Sequence, residues 1–301
     1  SEEVLKTKSF IDLTETEKSA REKFLVKNIG DLTFDASRHC ISEKAIEIAK
    51  QIFDEVKTKD FLKAIWSGEI VNKTENRQAL HAALRAPKKS FFPTSISNEV
   101  HAQREKLFKV SESIRNGKLR SFSGEKYTSL LVLGIGGSDL GPRMAVKALS
   151  SFSGSINISF VSNIDPAELS NQILGLNPKN TLVIISSKSF TTLETISNAN
   201  AAYEWMSKCI GEDGAKFQRL GVTANINNAK NFGLKDKQII GFSNWVGGRY
   251  SIWSGVGLPL AISIGQKHFE DFLDGGFSID THVKEDMNNS IPSLMAMLGY
   301  I

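Results

Sequence analysis

The chain changes hydrophobic rhythm about a third of the way along. Over roughly the first hundred residues, apolar positions recur at helical spacing. Between Ser42 and Phe61 they fall at Ala45, Ile46, Ile48, Ala49, Ile52, Phe53 and Val56, with Ser42 placed as an N-cap. Residues 75–84 (ENRQALHAAL) predict a short second helix stopped by Ala86–Pro87. KKSFFPTSIS then reads as a loop, and Val100–Asn116 as a further helix ending at Gly117. From Thr128 the pattern becomes one of short aliphatic runs: TSLLVLG (128–134), NISFVSN (157–163), TLVIISS (181–187), RLGVTA (219–224) and QIIGFS (238–243). Helical stretches at 139–150, 166–175, 191–208 and 226–233 separate them. Buried strands alternating with helices predict a parallel α/β sheet with right-handed crossovers, whose strand C-termini are where ligands bind. After Gly257 helical spacing returns at Leu258–Ile264 and His268–Leu273. Gly275-Gly276 follows, and then a helix-like tail through Met295. No internal repeat or low-complexity segment interrupts this order.

Composition narrows the function classes. Thirty-seven Lys and Arg against thirty-three Asp and Glu leave a net charge of +4 over 301 residues, too slight for an electrostatic nucleic-acid binder or a polybasic membrane protein. Hydrophobic residues at 41% and charged residues at 23% predict a folded globular chain. Cys40 and Cys209 are too few and too far apart for a disulfide framework or a CxxC zinc site, so two reduced thiols and a cytoplasmic location are expected. No apolar run approaches the ~20 residues of a membrane span. The opening SEEVLKTKSF is charged and lacks the apolar core of a signal peptide; its first residue, Ser1, suggests trimming or an incomplete start.

Three strand ends carry candidate chemistry. The first is Gly134-Ile-Gly-Gly-Ser-Asp-Leu-Gly-Pro142, where glycines allow close backbone approach and Ser138 or Asp139 could cap the next helix. A dinucleotide fingerprint would need glycine at Asp139, and no Gly-Lys-Ser/Thr follows for a P-loop. The second is Ser186-Ser-Lys-Ser-Phe-Thr-Thr-Leu-Glu-Thr195. Thr191-x-x-Glu194 fits a capping box, but Ser187, Lys188, Ser189 and Thr192 exceed what capping needs and suit a phosphate dianion. The third is Asn244-Trp-Val-Gly-Gly-Arg-Tyr-Ser251, whose Gly247-Gly248 turn presents Arg249 as a fork for an anionic oxygen. Asp165 is the expected N-cap of the helix at 166, and Trp205, Trp245 and Trp253 are expected in the core. The five histidines, His39, His81, His101, His268 and His282, show no metal-ligand spacing. Lys88-Lys89 reads as a solvated loop.

Taken together these motifs resemble the glucose-6-phosphate isomerase family. NWVGGRYSIWSGVGL (244–258) matches most specifically; LGIGGSDLGP (133–142), FVSNIDP (160–166), SSKSFTTLETISNA (186–199) and TENRQALHAALRAP (74–87) agree in content and order. The resemblance implies a three-layer α/β/α parallel-sheet sugar-isomerase domain preceded by a helical segment, with the start of a second such domain. The expected division is 1–115, 116–265 and 266–301. It implies that Ser187, Lys188, Ser189 and Thr192 hold a sugar phosphate, that Gly137 and Ser138 line the sugar, and that Gly248 and Arg249 lie by the reacting carbons, Arg249 stabilising an enediolate. Ser189 stands where the family usually has threonine, and keeps the hydroxyl. The implied reaction interconverts glucose 6-phosphate and fructose 6-phosphate through a cis-enediol, in a homodimer, without metal or organic cofactor. The family's glutamate base, ring-opening histidine and late lysine belong to later segments, and its Gln-Gly-x-x-Glu-Ser-Asn-Gly type of segment does not occur here. The chain is therefore expected to be an N-terminal portion, inactive alone; a non-catalytic phosphosugar-binding regulator is the alternative.

Overall fold

A computed structural model describes residues 10–300. The charged opening and Ile301, on which the expectations about trimming and chain end rest, lie outside them apart from Phe10. Two compact units emerge: Asn72–Leu273, and a second made of the described residues up to Val71 together with those from Asp274 onward.

In the second unit, α1 (Glu15–Leu25) begins at Thr14, whose hydroxyl and backbone exchange bonds with Glu17 in a complete capping box. A hairpin follows, β1 (Val26–Ile29) and β2 (Leu32–Asp35), turning at Gly30 with φ +53°. The sequence reading of this region as wholly helical is corrected here: strands of four residues are too short to declare a period of two. Ser42 caps α2 (Glu43–Glu55) by accepting from the Ala45 amide at 3.2 Å. The single helix expected to Phe61 breaks at Lys57, which is left-handed at φ 56°, before α3 (Thr58–Ser67). Ile48 and Val56, expected on the apolar face, are exposed. Leu25, Ile41, Ile46, Leu294 and Met297 form this unit's core.

The other unit contains all five expected strands: β3 (Ser129–Leu133), β4 (Asn157–Val161), β5 (Thr181–Ser186), β6 (Arg219–Thr223) and β7 (Ile239–Gly241). They pair in parallel in the order β4-β3-β5-β6-β7. Alternate side chains serve opposite faces, as the two-residue period requires. Leu130, Val132, Leu182 and Ile184 pack with α4 (Thr94–Arg115), α5 (Leu140–Ala148) and the apolar run 258–264; Leu131, Leu133, Val183 and Ile185 pack with α6 (Pro166–Ile173) and α7 (Leu193–Phe217). Helix α8 (Ile226–Asn231) adds Ala229 to the latter face. This is a three-layer α/β/α sandwich with its sheet buried on both sides. Residues 94–115, read from the sequence as part of the helical lead, pack against this sheet. Trp245, Trp253 and Trp205 are partly buried against its two faces.

Other expectations shift. Residues 75–84 hold no α-helix: Asn72 and Arg77 exchange two backbone bonds at 3.0 Å around Asn76 at φ 51°, and only His81–Leu84 coil, as a 3-10 turn. Asparagine tolerates the left-handed region that helical spacing alone does not register. Helix α4 starts at Thr94, inside the expected loop, with Pro93 at φ −54° and ψ 139° as its N-cap residue, where a missing N–H breaks no helical bond. The last helices are α9 (Leu258–Glu285) and α10 (Ile291–Tyr300). The expected break between Ile264 and His268 is present as a kink at Gly265 (φ 82°), whereas Gly275-Gly276 stays within the helix.

Candidate functional site

The strand order creates a switch point. The chain leaves β3 to one side for β4, then crosses back to β5 on the other, so the connections at the C-terminal ends of β3 and β5 diverge and leave a crevice between them. Two of the three candidate loops stand at those ends.

The β5 loop is organised by its own hydroxyls. Ser187 Oγ accepts from the Phe190 amide at 3.1 Å and shares a bond with Thr192 Oγ1 at 3.0 Å. Ser189 Oγ accepts from both the amide and the hydroxyl of Thr191. Phe190 itself is buried and held at φ 56°. Outside the loop, Asn228 donates to the Ser189 carbonyl at 2.8 Å, and the Ala224 amide and Thr223 hydroxyl both donate to the Lys188 carbonyl. The proton inventory follows. One proton joins Ser187 to Thr192, which leaves a second for a ligand, and the Ser189 hydroxyl proton is also uncommitted. Thr192 is the N-cap residue of α7 without a side-chain cap, so the first-turn amides of that helix keep their donors. The expected capping box from Thr191 to Glu194 does not form, because Thr191 turns back onto Ser189.

The β3 and β7 loops meet through two glycines. A Cβ built on Gly137 would stand 2.1 Å from the Gly248 carbonyl oxygen. Ser251 spans the junction, its hydroxyl facing the carbonyls of Gly137 at 3.0 Å and Gly248 at 2.7 Å. Lys188 Nζ donates to the Val246 carbonyl at 2.8 Å, which ties the β5 loop to the β7 loop. Burial, and secondarily Arg77, lowers the Lys188 ammonium below its ordinary pKa, with Glu75 acting against them. At Gly134, a Cβ would lie 3.1 Å from the Ser186 carbonyl, so the β3 and β5 ends also touch. The structure thus joins all three loops. Arg249 is exposed in the first turn of the 3-10 helix Gly248–Trp253, and its neighbour Tyr250 stacks on His81 with ring centres 4.2 Å apart.

Of Ser138 and Asp139, the two residues expected to be able to cap α5, Asp139 stands at the N-cap but makes no side-chain cap bond. Its buried carboxylate meets Arg143 at 2.8 Å, and Arg143 reaches Glu168 at 3.5 Å; Glu168 in turn accepts the Ser162 and Asn163 amides after β4. Burial raises the Asp139 pKa, opposed chiefly by the Arg143 bond. Asp165 does cap α6, accepting the Ala167 amide at 2.9 Å. Sequence reasoning did not single out Ser251, His81 or the Asp139–Arg143–Glu168 chain. Only Ser251 left a local signal, a hydroxyl two residues past the arginine. Among the described residues no three of His, Cys, Asp or Glu gather as a metal site, and no helix is long and apolar enough to cross a membrane.

Fold and site define a doubly wound α/β protein whose switch point is lined by hydroxyls and an uncapped helix start. The model of the phosphoglucose isomerase family matches residues 35–301, and the chain belongs to that family. It is 39% identical over 275 residues to glucose-6-phosphate isomerase 3 of Rhodococcus jostii, covering 90% of this chain and 50% of that protein. With the glucose-6-phosphate isomerase of Beijerinckia indica it shares 38% identity over 297 residues, 95% of this chain and 53% of the relative. The chain thus spans about half the length of the curated relatives it matches. A crystal structure of a glucose-6-phosphate isomerase from Chlamydia trachomatis superposes with a TM-score of 0.85 over 99% of this chain and 57% of that one, at 24% identity, and bears on the fold.

Proposed function

We propose that this chain supplies the phosphosugar-binding half of an aldose–ketose isomerase that interconverts glucose 6-phosphate and fructose 6-phosphate. The observation that carries the reading is the mutual contact of the three loops: the hydroxyl-rich β5 end, the β3 glycines and the Arg249 turn. Ser187, Ser189, Thr192, Lys188 and the first-turn amides of α7 are assigned to the substrate phosphate. Withdrawing Lys188 from the Val246 carbonyl toward a phosphate would cost one hydrogen bond and gain a charge-assisted one. Gly137, Ser138 and Gly248 are assigned to the sugar, and Arg249 to the negative charge that develops as a proton moves between C2 and C1. The phosphate loop makes no bond; its binding energy aligns the reacting end. The proposal extends to a cytoplasmic homodimer whose carboxylate base lies outside these 301 residues, and it calls for no cofactor.

The test is an isomerase assay from fructose 6-phosphate, with the glucose 6-phosphate formed coupled to NADP reduction, on the whole protein. Arg249→Ala is expected to lower kcat by about 100-fold or more with a smaller change in KM. Unchanged kcat with a raised KM would refute the role given to Arg249. Thr192→Ala is expected to weaken binding of an inert hexose-phosphate analogue by about tenfold, the worth of one hydrogen bond to a charged group. The regulator reading draws on the missing base segment, and hexose-phosphate binding without turnover in the whole protein would favour it.

A further inference from the structure

The start of α4 holds a feature outside the switch point. An open cleft of about 760 Å³ is lined there by Lys88, Lys89, Ser90, Thr94, Ser97 and Asn98, with no acidic residue among its lining. Helix α4 is 22 residues long and begins after Pro93 with no side-chain cap and no acidic residue in its first turn. Its Thr94, Ser95 and Ile96 amides have no acceptor within the helix, while the Ser97 amide bonds to the Pro93 carbonyl at 3.0 Å. Uncapped donors at a positive helix end leave an electrostatic demand that long helices normally meet with Ser, Thr, Asp or Glu.

Two hydroxyls independently point to a missing acceptor. Ser97 is only 6% exposed yet faces this cleft, and among the described residues its hydroxyl has no hydrogen bond. Ser90 Oγ is buried on the same wall without a hydrogen-bond partner. The Ser90 hydroxyl, buried and unsatisfied, costs free energy that a ligand oxygen would recover. We propose that this cleft is a second oxyanion site, taking the phosphate group of a small molecule. Two ammonium groups, three free amides and two hydroxyls are all donors or cations, and a phosphate dianion brings three acceptor oxygens to them where a carboxylate brings two. The site is independent of the reading proposed above, since none of its residues belongs to the three loops.

The experiment is a titration of the ¹⁵N-labelled chain with inorganic phosphate, and separately with glycerol phosphate, at constant ionic strength held with chloride. The amide resonances of Thr94, Ser95 and Ile96 are expected to shift and saturate. Lys88→Gln/Lys89→Gln is expected to weaken that response at least tenfold. Ser97→Ala is expected to weaken it about threefold or more while leaving the thermal midpoint in place, because its hydroxyl bonds nothing in the unliganded protein. A stronger response to glycerol phosphate assigns the site to phosphate monoesters, and an equal response assigns it to phosphate itself. Resonances at 94–96 that stay fixed, or that shift equally in the double variant, overturn the proposal. The amides of Ser189–Glu194 report on the switch point in the same spectra, so either site can fail without the other.

Discussion

Gly137 and Gly248 face each other across one contact, yet substitution should separate them sharply. A methyl group at Gly137 meets the Gly248 carbonyl at 2.1 Å, with backbone on both sides that has no rotamer to escape into. A methyl group at Gly248 has nothing within 4 Å. Gly137→Ala is therefore expected to destabilise the fold by about 1–3 kcal/mol and to displace the Arg249 turn, whereas Gly248→Ala should stay within about 1 kcal/mol. Urea unfolding of both variants decides it, and equal effects would show that the two loops are not pressed together as described. Ser251→Ala belongs to the same junction. It removes the hydroxyl that faces two carbonyls and should cost about 1 kcal/mol.

Among the elements, the strands were legible because burial on both faces turns each into a continuous aliphatic run. Leu130 to Leu133 and Leu182 to Ile185 have no polar alternation to confuse with a helix face. Two elements were misread because a single backbone angle overrides a pattern: Asn76 breaks the expected helix at 75–84, and Lys57 breaks the one from Ser42. Gly265 is the converse, a break that the apolar spacing did anticipate. At φ 82° and ψ 167° it occupies a region essentially reserved for glycine, and an added Cβ would lie 3.0 Å from the Arg115 guanidinium. That guanidinium donates to the Ile262 and Ser263 carbonyls just before the kink. Gly265→Ala is expected to cost about 2–3 kcal/mol in urea unfolding, because strain and the loss of this carbonyl cap add. A cost under 1 kcal/mol would mean that the helix simply straightens.

For the whole molecule, burial of histidine predicts a loss of stability in acid. Burial, and then the charge of Arg85, push the His81 imidazole down to about 4 from its ordinary 6.5. Burial first of all lowers His101 as well. A histidine whose folded pKa is depressed takes up its proton more readily when unfolded, so stability is full above about pH 6.5 and falls as pH drops toward 4. Asp139, raised by burial, acts in the opposite sense where carboxylates titrate. The His81 contribution is about 3 kcal/mol across that window. Urea unfolding from pH 7 to 4.5 should show the loss, and His81→Gln should flatten the slope by close to one proton. An unchanged slope would show that His81 is charged, or exposed, in the folded protein.

The succession of the five parallel strands and the helices between them, the sheet's parallel character and the residue types at each strand end were determined by the sequence alone, since each follows from local spacing and side-chain chemistry. The family resemblance was equally legible, carried by ordered motifs. Tertiary structure decided which strand ends are neighbours. The order β4-β3-β5-β6-β7 sets the Gly134–Ser138 turn beside Ser187–Thr192, and the Gly137–Gly248 contact brings in a turn more than a hundred residues away. It also decided where hydroxyls and charges spend their bonds: Thr191 on Ser189 instead of Glu194, Asp139 on Arg143 instead of a helix cap, and Lys188 on the Val246 carbonyl. Such choices depend on which donors and acceptors happen to lie within 3 Å after the chain has packed. Spacing along the chain carries no record of them.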